Sequence, residues 1–299
     1  MTLLALLLAL LVERLATRVL GLREARWLSG YTRWALATAG AGDGSTRRVP
    51  CTLRVLLPAL PVAGVAAWLS GAAHDAAWLP FAVFVLVFSL GPRDLWDEVR
   101  DYLDRGSRGD ETGAALVARE LVEHDAAQRR ESRDAAVEDA LFVQANNRVF
   151  GVVFWFVVLG PAGLGPAAAW LFRATDLMRR DAIRLALGSG PARPLTCPER
   201  IHYYLAWLPA RLLAVGYSLA GSFEEARRGW RERNADLPSQ LLERNDWLLV
   251  HVGRAALGGA ADAAPGDIGR VRAARRLVQR ALLFWLTVIA VLSLFAWIG

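Results

Sequence analysis

Lysine is absent from this chain of 299 residues, so all 35 basic side chains are arginine. That absence excludes a G-x-x-x-x-G-K-[ST] phosphate loop, a Schiff base and a lysine general base, each of which needs the ε-amine. Cysteine is scarce. Cys51 and Cys197 stand far apart along the chain, and two such residues make neither a disulfide framework nor a zinc site. Histidine occurs four times, at positions 74, 124, 202 and 251, without the H-E-x-x-H spacing that puts two imidazoles on one helix face. No metal and no cofactor is therefore expected. The opening run MTLLALLLALLVERL has no basic stretch ahead of its apolar core and no small-residue cleavage site after it. It is expected to be an embedded helix rather than a cleaved signal peptide.

Long apolar runs, by contrast, are abundant. Hydrophobic residues make up 55% of the chain, above the roughly 45–50% usual for soluble domains, and they are concentrated in a few segments. The class this implies is an all-α integral membrane protein with polar parts. The net charge is +6. An arginine excess beside apolar runs reads as a membrane-orientation signal rather than a nucleic-acid footprint. The partners expected are the lipid bilayer and no nucleic acid.

Four segments follow. The first, 1–92, holds the embedded opening helix, a glycine-rich linker AGAGDGST at 39–46, and a hydrophobic hairpin over 53–91. The opening run is shorter than the ~20 residues a span needs, so Glu13 and Arg14 are expected to face protein or the interface. The hairpin turn at His74 carries no arginine, whereas its flanks carry Arg47, Arg48, Arg54 and Arg93. The flanks are therefore expected on the cytoplasmic side and the turn outside. The second segment, 93–147, holds 8 Arg and 14 Asp or Glu. It reads as cytoplasmic amphipathic helices. One puts Leu95, Val99, Tyr102 and Leu103 on a shared face and stops at Gly106. The next uses Ala114, Val117, Ala118 and Leu121, and a third runs from about Arg133 onward.

The third segment, 148–280, opens on the stretch NNRVFGVVFWFVVLGPAGLGP at 146–166. Residues 149–171 would reach about 34 Å as one helix, enough to cross a bilayer with a Gly-Pro kink. Alternatively the helix breaks at 160–166 and turns back, which requires cover from protein or a wet cavity. Both readings stand at this point. The apolar helix over 202–223 contains Arg211, which costs roughly 2.5–3.5 kcal/mol in lipid; a carboxylate partner, Asp176 or Glu13, is expected for it. A loop follows at 258–267. The fourth segment, 281–299, is an uninterrupted apolar run preceded by Arg275, Arg276 and Arg280, the C-terminal transmembrane helix.

The polar residues have a helical geometry. Asp139 and Asn146 are seven apart and share a face; Arg173, Asp176 and Arg180 are spaced by three and seven and share another. These faces flank the same apolar stretch. Glu13, Arg14, Asp139, Asn146, Arg148, Arg173, Asp176 and Arg211 are the ligand-binding candidates, suited to an amphiphile at the membrane surface. No catalytic residue is assigned.

The opening MTLLALLLALLVERL, the stretch NNRVFGVVFWFVVLGPAG and the later WLPARL together resemble the AmpE family, in order and over most of the chain. That family is in turn similar to the CobD/CbiB membrane enzymes, which form an amide on a corrinoid. Those enzymes have an acidic residue where Glu13 stands and PARL where 209–212 stands. They also have an Asp-Gly pair that this chain lacks, and Ala206 stands where an Asp ahead of Trp-x-Pro would be. The resemblance implies a regulatory signalling protein of the bacterial inner membrane, multi-pass, linked to cell-wall recycling and β-lactamase induction. It further implies an amphiphilic cell-wall-derived ligand and leaves a homo-oligomer open. A CobD/CbiB-type enzyme forming or breaking an amide is the alternative, and catalysis stays undecided.

Overall fold

The structure, a computed structural model, describes residues 5–9, 26–37, 51–71, 75–90, 95–122, 130–185, 196–232, 243–258 and 268–298. Glu13, Arg14, the glycine-rich linker, the His74 turn and all but the start of the 258–267 loop lie outside the described residues. Every regular element described is helical. In chain order these are α1 (Arg26–Ala37), α2 (Cys51–Leu56), a 3-10 turn (Leu57–Ala59), α3 (Leu60–Gly71) and α4 (Asp75–Leu90). Then come α5 (Leu95–Ser107), α6 (Glu111–Val122), α7 (Arg130–Gln144), a π-helical turn (Ala145–Phe150) and α8 (Gly151–Val158). The last are α9 (Gly165–Leu185), α10 (Cys197–Ala220), α11 (Phe223–Glu232), α12 (Glu243–Leu257) and α13 (Ile268–Ile298).

Among the described residues, four stretches are long and apolar enough to cross a membrane: Cys51–Leu69, Ala77–Ser107, Ser132–Val158 and Ile268–Phe295. Cys51–Leu69 and Ile268–Phe295 bury little of their surface in protein. Trp68 is 64% exposed and Phe295 71%, which water would penalise and lipid would not. The chain is an all-α integral membrane protein.

The chain divides into two compact units that interleave along the sequence. One comprises Met1–Pro92 and Gly151–Ala206, the other Arg93–Phe150 and Trp207–Gly299. In the first, α9 is the central element and packs against α1, α3, α4 and α8. Small residues permit this: Ala167, Ala168, Ala169 and Ala174 are all buried, so neighbouring backbones approach closely. Trp170 donates its indole N–H to Pro58 O at 2.9 Å, and its ring lies tilted against Phe88 with centroids 5.3 Å apart.

The Gly-Pro stretch is a break and not a kink. The helix ends at Val158, a turn occupies 159–164, and α9 returns against α8. Gly163 takes φ 73°, and its N–H bonds to Gly160 O at 2.9 Å. Pro166 sits in the first turn of α9, where its missing N–H costs nothing. A Cβ on Gly165 would come 2.5 Å from Phe156 O, so glycine is what lets the two arms meet. The returning arm is a full 21-residue helix, longer than the short stub that the apolar run alone suggests.

In the second unit one core joins α5, α6, α7, the π turn, the 207–220 part of α10, α12 and α13. Leu95, Val99, Tyr102 and Leu103 are buried in it as their spacing requires. Gly106 does not stop α5, which continues to Ser107; the left-handed residue is Gly109, at φ 75°. Gly106 instead makes room, since a Cβ there would lie 2.7 Å from Ile268 Cδ1.

Candidate functional site

Four of the polar candidates fall into two buried clusters, one in each unit. In the first unit Asp176 is fully buried. Arg173 lies three residues before it, Arg179 and Arg180 three and four after, so one helix face brings all of them to its carboxylate. Arg173 Nη1 reaches Asp176 Oδ2 at 3.0 Å, Arg179 Nη2 reaches Oδ1 at 3.0 Å, and Arg180 Nη2 reaches Oδ2 at 2.9 Å. Burial alone would push this carboxyl up, but Arg180, Arg179, His202 and Arg173 together hold it far below the usual carboxylate range. It is a permanent anion, a counter-ion and not a proton donor.

His202, from α10, closes the cluster. Its Nε2 is 3.9 Å from Asp176 Oδ1, its Nδ1 is 3.3 Å from Thr175 Oγ1, and its ring lies 5.0 Å from Phe172. Thr175, His202 and Asp176 stand in the order of a nucleophile, a base and an acid. The geometry does not serve that chemistry. Thr175 donates its hydroxyl to Phe172 O at 2.8 Å and is fully buried, and 3.9 Å is beyond a hydrogen bond. Counted on Asp176 and its three arginines the charge is positive, which suits an anionic group.

The second cluster centres on the π turn. Tyr217 donates its hydroxyl to Phe142 O at 3.0 Å. In an uninterrupted α-helix Asn146 N–H would take that carbonyl, so the insertion accounts for the widened turn. Within the turn Asn146 and Asn147 are buried, and Asn146 Nδ2 bonds to Asn147 Oδ1 at 3.1 Å. Among the described residues Asn146 Oδ1 has no hydrogen-bond partner, a cost usually tolerated for a reason. Arg148 pairs with the buried Glu98, Nη1 to Oε2 at 2.7 Å, and its Nε reaches Gln144 Oε1 at 3.0 Å. Gln144 in turn donates to Leu121 O at 3.3 Å.

The remaining candidates are tied elsewhere. Asp139 pairs with Arg254 at 2.7 Å, beside Glu138, which takes both arms of Arg270 at 2.9 Å. The charge on Arg211 is met by an amide oxygen and an indole. Nη1 reaches Asn245 Oδ1 at 3.2 Å and Trp207 O at 2.8 Å, and the guanidinium lies 3.9 Å over the Trp207 ring. Arg173 and Asp176 are thus together in one unit, while Asn146 and Arg148 share the π-turn cluster of the other, the unit that also holds Asp139 and Arg211. Among the described residues no group of three His, Cys, Asp or Glu could hold a metal ion.

Sequence reasoning missed His202, Glu98, Gln144 and Tyr217. Glu98 did leave a signal: it stands three residues after Leu95, on the apolar stripe of α5, where an unpaired carboxylate has no business. Tyr217 and His202 left none, because their partners lie 75 and 27 residues away.

A family model described as "Regulatory signalling modulator protein AmpE" matches residues 1–298. Among curated proteins, the chain is similar to the "Cobalamin biosynthesis protein CobD" of Stutzerimonas stutzeri (strain A1501). The two are 28% identical over 223 residues, which cover 74% of this chain and 64% of that protein. The chain therefore spans less than two thirds of that relative's length. No solved structure matches it.

Proposed function

We propose, from the premise that this chain belongs to the AmpE family, that it is a multi-pass regulatory signalling protein of the bacterial inner membrane. It links cell-wall recycling to β-lactamase induction by holding an amphiphilic, anionic cell-wall-derived ligand. The observation that carries the reading is the Asp176 cluster, in which three guanidiniums and an imidazole gather on one fully buried carboxylate. An acidic group entering there would compete with Asp176 for Arg173, Arg179 or Arg180 and free one arm of α9 to move. Arginine forks suit carboxylate and phosphate alike.

The test is induction of β-lactamase in cells whose own copy is deleted and replaced. Arg180→Gln should abolish induction while membrane abundance stays near wild type, whereas Arg231→Ala, at an exposed position, should leave induction intact. Full induction by the Arg180→Gln protein would remove the cluster from the signalling path.

The second reading is a membrane enzyme that forms or breaks an amide, favoured by the similarity to CobD. It predicts that the purified chain consumes ATP when given an amphiphilic acid and an amine. Thr175 is too enclosed to act as its nucleophile.

A further inference from the structure

The N-terminal approach to the C-terminal span is crowded with arginine. Arg272, Arg275, Arg276 and Arg280 follow one another along α13, and none has an ion pair among the described residues. A cavity of about 360 Å³ opens between α13 and α5. Arg100, Arg272, Arg275 and Arg276 line it together with Gln279 and Asp104. Four guanidiniums against one carboxylate leave it strongly positive. Arg100 also touches Asp97 at 3.0 Å, but that pair is exposed and weak. Arg275 Nε is buried and has no hydrogen-bond partner among the described residues.

The position along the helix gives the cavity its meaning. The first strongly exposed apolar side chain of α13 is Leu283, at 62%, and from there to Phe295 the helix shows lipid-facing residues. Gln279 and Arg275 lie roughly 6 and 12 Å before it at 1.5 Å per residue. That is the depth of the headgroup layer just outside the hydrocarbon core.

We infer that this cavity binds a phosphate-bearing anion, and that its source is the headgroup of an anionic membrane phospholipid. The donors are fork-shaped guanidiniums and a side-chain amide, which suit phosphate oxygens. Basic side chains at this depth each contribute roughly 1 kcal/mol toward an anionic leaflet. The site lies in the second unit and is independent of the Asp176 cluster, so failure of one leaves the other standing.

The full chain, purified in detergent and stripped of lipid, is titrated with phosphatidylglycerol or phosphatidylcholine and read by native mass spectrometry. The first phosphatidylglycerol adduct should form more tightly than the phosphatidylcholine one. Arg275→Gln/Arg276→Gln should weaken it by roughly 30-fold, two side chains at the value above. Arg227→Gln/Arg228→Gln, an exposed pair on α11, should not. Arg276→Gln alone, at an exposed position, supplies the weaker loss if the double variant does not fold. A second arm adds inorganic phosphate and follows the unfolding midpoint. A stabilisation by phosphate that the variant lacks, with no preference between the lipids, keeps the anion site and overturns the lipid source. Equal losses in the α11 control, or no response to either probe, overturns the site.

Discussion

At the residue scale, the pair of Arg148 and Glu98 decides most. Both side chains are buried and meet at 2.7 Å. Taking two charges out of water is costly, and the pair repays it only while both partners are present. Arg148→Met should therefore destabilise the chain by about 3–5 kcal/mol, because Glu98 is left as an uncompensated buried charge. The double variant Glu98→Leu/Arg148→Met should recover most of that loss. Unfolding in detergent by chemical denaturant measures both, and additive losses would show that the two side chains are not coupled. Cys51 and Cys197 show another local effect. They pack against the same cluster of Ala35, Val55 and Met178. Burial, and then the hydrogen bond and charge of Cys51, push the Cys197 thiol up to about 12. A raised thiol stays protonated at neutral pH, and in a Cys51→Ser protein burial, the largest cause, still raises it, so its alkylation rate should still be climbing at pH 9.5. An ordinary thiol of about 8.5 would level off there. By the same sign, any stability that Cys197 contributes is present below about 8.5 and lost as pH rises toward 12.

At the scale of elements, the break between α8 and α9 rests on two glycines with different duties. Gly163 takes a left-handed backbone, where another residue costs roughly 1–2 kcal/mol. Gly165 faces Phe156 O, which belongs to backbone and cannot swing away. Gly165→Ala should thus be the more damaging change, forcing α8 and α9 apart and lowering the unfolding midpoint clearly more than Ala162→Gly at an exposed turn position. Indistinguishable midpoints would show that the two arms need no close approach. The π turn is the other element with a cause outside itself. Tyr217→Phe removes the hydroxyl that takes Phe142 O, and the turn is then free to relax toward α geometry.

At the scale of the molecule, the charge asymmetry of the sequence predicts an orientation. The His74 turn has no arginine and the flanks of its hairpin do. In a protein with Cys51→Ser and Cys197→Ser, Ala77→Cys should react with an impermeant maleimide in intact spheroplasts, and Ser107→Cys should react only after permeabilisation. Both positions are exposed. The reverse pattern would invert the topology. Within the second unit, α5, α7 and α13 share one core.

The sequence by itself determined what depends on neighbours a few residues away. Apolar runs fixed the all-helical membrane class. The Gly and Pro residues of 160–166 fixed a disturbance there, because φ freedom and a missing N–H act within one turn. The spacing of Arg173, Asp176 and Arg180 fixed their shared face. Only the tertiary structure decided which face meets which. Glu98 finds Arg148 fifty residues on, Tyr217 claims a carbonyl seventy-five residues back, and Asn245 reaches Arg211 from thirty-four away. Helical periodicity states that a face is polar or apolar; it carries no record of its partner. The turn-or-kink question was settled in the same way, since a Gly-Pro run permits either and the packing of α9 back onto α8 selects one.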